Sequence, residues 1–323
     1  MAEQKPKDIL LAHLLLLLCG VFCCSTAAIL IKASQVPPAA LAAWRLLLAV
    51  GLLLPLFVRD LMRSRTPWTR AMARAAVLPG LMLGLHFITW IIGIRLATVA
   101  NGSLIVNLVP LAMPLFLWLV LRERLRRREW LGTAVAALAV ALLLVCDFDL
   151  DPALLAGDLV CLGSMLFFCL YLVLSRKYRH IDGIWQYVVP VYAVAGLCCL
   201  LGAVGWDTLR HGELRLMPAN ARAWGLVLGL AVVPTLMGHS ILNFSMKKLR
   251  GQIVSIVNVC QFIFAGGMAY VVWRQTPHWS LYAAAVLVLG ACAVVTAPER
   301  APASQPPAGA GDDTAALDGE KAL

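Results

Sequence analysis

The 323-residue chain is 61% hydrophobic and only 14% charged, with a mean hydropathy of +0.84. Soluble globular domains carry about a quarter charged residues, so a soluble fold is excluded. The net charge of +10 does not point to nucleic acid, because Lys and Arg fall in short clusters between apolar runs with no basic helix face and no aromatic interleaving.

Ten apolar runs approach the roughly 20 residues needed to cross a bilayer core: 9–31, 39–58, 75–95, 100–121, 129–146, 156–175, 186–205, 223–245, 252–273 and 279–297. The first, preceded by Lys5 and Lys7, is longer than a signal-peptide core and reads as a retained helix. The second follows Pro37 and Pro38 and holds Arg45, roughly 10 Å inside at 1.5 Å per residue. That residue reads as snorkelling outward or structurally paired ahead of the other reading, a counter-charge for a substrate carboxylate or phosphate. In the third run His86 and Trp90 lie four apart. The fourth carries Ser103, Asn107 and two prolines, Pro110 and Pro114, each of which removes an amide donor and displaces the carbonyl four residues back. A kink is expected there, as gating or cavity-lining structure or as packing alone.

The sixth run opens on Asp158, read as a helix cap, and aligns Ser164, Tyr171 and Ser175 on one face. The eighth holds an i, i+4, i+8 stripe of Thr235, His239 and Asn243, and the ninth groups Ser255, Asn258 and Gln261. Such stripes serve as interhelical glue or as ligand contacts, and an intramembrane His is a functional candidate by default. Glu123, among Arg122, Arg124 and Arg126, reads as an interfacial charge. From Pro298 the chain is rich in Pro, Ala and Gly and reads as a disordered tail, as 1–8 reads as a short N-terminal extension. The ten Cys form no CxxC pair and no Cys/His metal spacing, so they read as small buried hydrophobes and neither metal nor cofactor is expected.

Placing the N-terminus in the cytoplasm assigns twenty Lys and Arg to the inside and six to the outside, leaving Arg45 within a span. Both termini are then cytoplasmic. The segment Gln252-Ile-Val-Ser-Ile-Val-Asn258 repeats the Ile-Val-Asn of Asn101-Gly-Ser-Leu-Ile-Val-Asn107 at a separation of 151 residues. Two five-span halves that share a fold must enter the membrane from opposite sides, since five is odd. Inverted repeats of this kind are characteristic of secondary transporters, whose site lies between the halves.

Leu85-His86-Phe-Ile-Thr-Trp90, Asn101 to Pro110, Leu121-Arg-Glu123-Arg-Leu125 and Leu131-Gly132, with Gly157-Asp158-Leu159 and Gly238-His239-Ser240-Ile-Leu-Asn243-Phe-Ser-Met-Lys247 in the second half, resemble an EamA-type member of the drug/metabolite transporter superfamily. The resemblance implies an all-α integral membrane protein of ten transmembrane helices in two inverted EamA-like repeats, residues 9–147 and 156–297. It also implies alternating-access transport, commonly export, of amino acids or related compounds. Cys260-Gln261 stands where the family usually has Glu-Pro, and Arg274-Gln275 where it usually has Gly-Glu, so a proline-assisted kink and a terminal carboxylate are not expected in the ninth helix.

The expected pathway residues are Arg45, His86, Trp90, Asn107, Tyr171, His239, Asn243, Asn258 and Gln261. Partners are a small-molecule substrate and the lipid bilayer, with homodimerisation left open, and the expected location is a bacterial inner membrane. The alternatives are an intramembrane enzyme using His86 or His239 as base and a non-transporting membrane subunit. No nucleophile motif, phosphate loop or metal spacing accompanies the histidines, so an enzyme is not expected.

Overall fold

A computed structural model of the chain describes residues 6–64, 68–97, 99–147, 155–181, 183–210, 214–274, 276 and 279–297. Gln275 and the expected tail from Pro298 lie outside them. The described residues contain helices and connecting turns and no strand. In order they are α1 (Pro6–Ala33), α2 (Pro38–Arg63), α3 (Arg70–Ala75), α4 (Val77–Leu96), α5 (Val99–Val106), α6 (Val109–Leu121), α7 (Arg127–Asp147), α8 (Leu155–Lys177), α9 (Ile184–Arg210) and α10 (Ala221–Leu230). A π-helical segment, Ala231–His239, follows, then α11 (Ser240–Lys248), α12 (Gly251–Asn258), α13 (Gln261–Trp273) and α14 (Trp279–Thr296).

Eight helical segments among the described residues are long and apolar enough to cross a membrane, and α6 is a shorter apolar helix. Their surfaces reverse the soluble pattern. Leu11, Leu54, Leu81, Leu138, Leu201 and Val286 are exposed on the outside, while Arg45, His86, Ser164 and Asn243 are buried within the bundle. Lipid is the solvent that suits such a surface, because it makes burial of apolar groups unnecessary and exposure of polar ones costly. The chain is a multi-pass membrane protein.

Two close helix crossings shape the interior. Cys24 of α1 packs on Gly238 and Cys161 of α8 packs on Gly93 of α4; a Cβ on either glycine would lie 2.6 or 2.5 Å from the facing sulfur. Each cysteine has a glycine four residues before it, Gly20 and Gly157, which also meets the partner helix closely. Small residues on both sides let backbones approach, the main source of packing attraction where lipid removes the hydrophobic drive. The same small-residue device therefore joins α1 to the π-helical segment and α4 to α8.

Two breaks position the interior polar groups. Between α5 and α6 the chain tightens to i→i−3 bonds, Leu108 N to Ile105 O at 3.1 Å and Leu111 N to Leu108 O at 2.9 Å. Pro110 sits in the first turn of α6, where its missing donor costs nothing. Pro114 lies inside α6 and leaves the Pro110 carbonyl without its helical donor; Gln252 of α12 fills the gap, donating from Nε2 to Pro110 O at 3.0 Å and to Thr133 Oγ1 at 2.6 Å.

The ninth apolar run breaks as well, without a proline. Val259 N bonds Ile256 O and Cys260 N bonds Val257 O, both at 3.1 Å, and the Gln261 amide holds Asn258 Oδ1 at 2.6 Å. Short-range bonds and an amide clasp produce there what proline does in the fourth run.

Candidate functional site

A cavity of about 50 Å³ lies where α1, α2, α4, α5, α8, the π-helical segment, α12 and α13 converge. Of the residues expected from sequence, Arg45, His86, Trp90, Asn107, His239, Asn258 and Gln261 line it. Tyr171 and Asn243 lie outside its lining. The Asn243 amide donates to the Tyr171 hydroxyl and to His239 O (2.7 Å) and accepts from Ser175 Oγ (2.6 Å), so this pair ties α11 to α8. Pro110 and Pro114 sit behind the cavity in α6, where they shape the break that presents Asn107.

The local chemistry of proline places Arg45. In the π-helical segment Pro234 has no amide hydrogen to give the Leu230 carbonyl, and the Thr235 hydroxyl donates to that carbonyl at 2.7 Å. The Thr235 oxygen then accepts Arg45 Nε at 2.8 Å, and its own backbone carbonyl accepts from the Tyr192 hydroxyl at 3.1 Å. The Arg45 guanidinium also rests over the Phe87 ring, 4.0 Å from its centroid, a cation–π contact.

Arg45 is 0% exposed, so the outward-snorkelling reading is corrected: at this position α2 turns its face into the bundle. Both terminal nitrogens, Nη1 and Nη2, are buried without a hydrogen-bond partner. Among the described residues no Asp or Glu lines the cavity. Ser103 Oγ, Asn107 Oδ1 and His239 Nδ1 are likewise buried and unpartnered on the cavity wall. The Asn107 amide nitrogen is spent on Ser103 O at 2.7 Å, which turns its oxygen outward from α5.

His86 is more tightly held. Ser164 Oγ lies 2.9 Å from His86 Nδ1 and 3.0 Å from His86 O, and the His86 ring stacks on Phe168 with centroids 4.6 Å apart. His239 faces Phe87 edge to face at 4.9 Å and stands 6.2 Å from His86. Phe87, Phe168 and Phe262 were not foreseen as lining, since an aromatic in an apolar run carries no local signal of which way it faces.

A second charged cluster lies at the end of the bundle where α6, α7, α8, α11 and α12 meet. Arg176 at the foot of α8 donates to both oxygens of Glu123 (2.7 and 3.2 Å) and to the carbonyls of Leu249 (2.5 Å) and Met246 (3.3 Å). Arg250 binds Glu129 through Nε and through Nη2 at 2.8 Å, and lies 3.4 Å from Glu123. Glu129 also accepts from Arg126 N at 2.8 Å, the backward half of a capping box on α7. Glu123 is therefore a bridge between distant segments rather than a surface charge. Among the described residues no group of three or more metal-ligating side chains occurs.

The EamA-like transporter family matches residues 11–145 and again 155–297. The chain belongs to that family, a class of membrane transporters. It is 26% identical over 213 residues, 66% of its own length and 71% of the relative's, to the pseudopaline exporter CntI of Pseudomonas aeruginosa. It is 25% identical over 222 residues to the aromatic amino acid exporter YddG of Ancylobacter novellus, covering 67% and 73% of the two chains. A solved structure superposes with a TM-score of 0.68 at 20% identity, over 88% of this chain and 96% of that one, and so shares its fold.

Proposed function

We propose that the protein is a secondary transporter that exports a small polar metabolite, an amino acid or related compound, by alternating access. The observation that carries this reading is the central cavity, built from helices of both halves of the chain and lined by residues of α2, α5 and the π-helical segment that hold unpartnered polar atoms. Unsatisfied groups of this kind cost free energy in an empty protein and are expected where a ligand supplies the missing partners.

The two halves are read as inverted five-helix repeats, making ten crossings with both termini in the cytoplasm of a bacterial inner membrane. Matching breaks support the repeat. α5 and α12 are each 8 residues long and α6 and α13 each 13, with every bound in the second pair 152 residues beyond the first. Both pairs end on a left-handed residue, Arg122 at φ 54° and Arg274 at φ 55°. The paired Gly-Cys crossings repeat the same exchange between halves. Broken helices facing a central site are the common architecture of such carriers. In this reading Glu123 and Glu129 of the first half, bound to Arg176 and Arg250 of the second, close one end.

Names borne by two relatives, an aromatic amino acid exporter and the exporter of pseudopaline, agree with export. Efflux from cells with and without the protein, followed for a broad metabolite panel, tests it. At least one compound should leave faster when the protein is present; no change for any of them contradicts the reading.

A further inference from the structure

We propose that Arg45 is the anchor for a carboxylate on the transported compound. The inference rests on the transporter reading and assigns the chemical group that the site recognises.

Three features of the cavity carry it. Arg45 is fully buried, and its Nε is already committed to Thr235 while both Nη atoms are unpartnered. The bond to Thr235 and the Phe87 ring beneath the guanidinium fix its plane, leaving the two unpartnered Nη groups as the donors of the fork. A carboxylate accepts from such a fork through two parallel bonds, which are stronger and more directional than neutral ones in a low-dielectric site.

Charge narrows the choice further. Among the described residues Arg45 is the only Lys, Arg, Asp or Glu in the lining, so a carboxylate on the occupant supplies the counter-charge that the site lacks. A phosphate monoester, carrying close to two charges, would leave an uncompensated anion. The remaining wall fits a carboxylate attached to a largely apolar body: Phe87, Trp90, Phe168 and Phe262 are hydrocarbon surface, and Asn107 Oδ1 is an unpartnered acceptor for one N–H or O–H of the same molecule.

The test compares culture media of cells carrying the wild-type protein, Arg45→Gln, Arg45→Lys or no protein by untargeted mass spectrometry, followed by proteoliposome transport of each compound found and of its carboxamide analogue. Compounds whose level the wild-type protein changes should be carboxylic acids. The carboxamide should be moved about 10- to 100-fold less well than the acid, the loss of a charge-assisted bond pair expressed as a rate ratio. Arg45→Gln should abolish the difference between acid and amide, and Arg45→Lys, a point charge without the fork, should retain part of the acid transport.

Compounds without a carboxylate in the medium, or acid and amide moved equally by the wild-type protein, would overturn the assignment while leaving the transporter reading intact. The acid–amide comparison needs no variant, so it decides even if Arg45→Gln fails to fold. No changed compound at all would overturn the transporter reading and this inference with it.

Discussion

Arg176 and Arg250 at one end of the bundle and Arg45 at its centre are the same side chain under opposite conditions. The two at the end have every charge met: Glu123 and Glu129 face them, and the carbonyls of Leu249, Met246 and Arg124 take further hydrogens. The central one is more deeply buried than either, yet meets only a hydroxyl and an aromatic face. Burying an ion costs several kcal/mol that only good partners offset. The end is thus arranged to hold the fold together, and the centre is arranged to be incomplete until something binds.

The largest effect expected from breaking this contrast is at the satisfied end. Glu129 is 2% exposed and accepts from Arg250 twice and from Arg126 N. Glu129→Ala should cost about 3–5 kcal/mol of unfolding free energy in detergent micelles, because it removes the buried carboxylate that holds Arg250 through Nε and Nη2 and leaves it only the more distant Glu123. A loss below about 1 kcal/mol would show that the end is held by packing instead.

The neighbouring pair sharpens the point. Glu123→Gln and Arg176→Gln, measured singly and together by the same unfolding assay, should give a coupling energy of about 0.5–3 kcal/mol. Additive losses would mean that the bidentate contact contributes nothing beyond its separate parts.

Within the central region a smaller change is expected where hydrogen bonds are already complete. Ser164→Ala removes the hydroxyl that clasps both Nδ1 and O of His86, and should cost about 0.6–1.7 kcal/mol, the range of interhelical polar contacts in membranes. An effect above about 3 kcal/mol would place Ser164 and His86 among the structural supports rather than the pathway.

Much of this architecture is written in local patterns. Each expected apolar run falls on a helix or on a helix interrupted by a break or π turn, because length and apolar content alone decide which segments suit lipid. The Ile-Val-Asn match placed Asn107 opposite Asn258 at 151 residues, whereas the helix bounds correspond at 152. The i→i−3 bonds Leu108 N–Ile105 O and Leu111 N–Leu108 O recur 151 residues on as Val259 N–Ile256 O and Phe262 N–Val259 O, so the breaks themselves keep the register of the residue match. Pro110 and Pro114 are visible in the sequence beside the first break, whereas Cys260-Gln261 concealed the second, since an Asn258–Gln261 clasp leaves no proline to notice.

The long-range pairings were not legible. Glu123 and Arg176 are 53 residues apart and Glu129 and Arg250 are 121 apart, with nothing in either segment to name its partner. The direction of Arg45 was hidden for a related reason. Rotation of α2 about its axis is set by the neighbours it meets, and an arginine one-third of the way into a helix has access to either surface or core until Thr235 and Phe87 are in place.

The unfolding midpoint of purified Arg45→Met, without added ligand, tests most directly the claim that this arginine is kept for a ligand and not for the fold. Removing a buried charge that lacks a counter-ion relieves its desolvation cost, while a side chain of similar length keeps the packing on Phe87. The midpoint should equal or exceed that of the wild-type protein. A fall equivalent to about 3 kcal/mol or more, the size expected when a satisfied buried charge is lost, would contradict it.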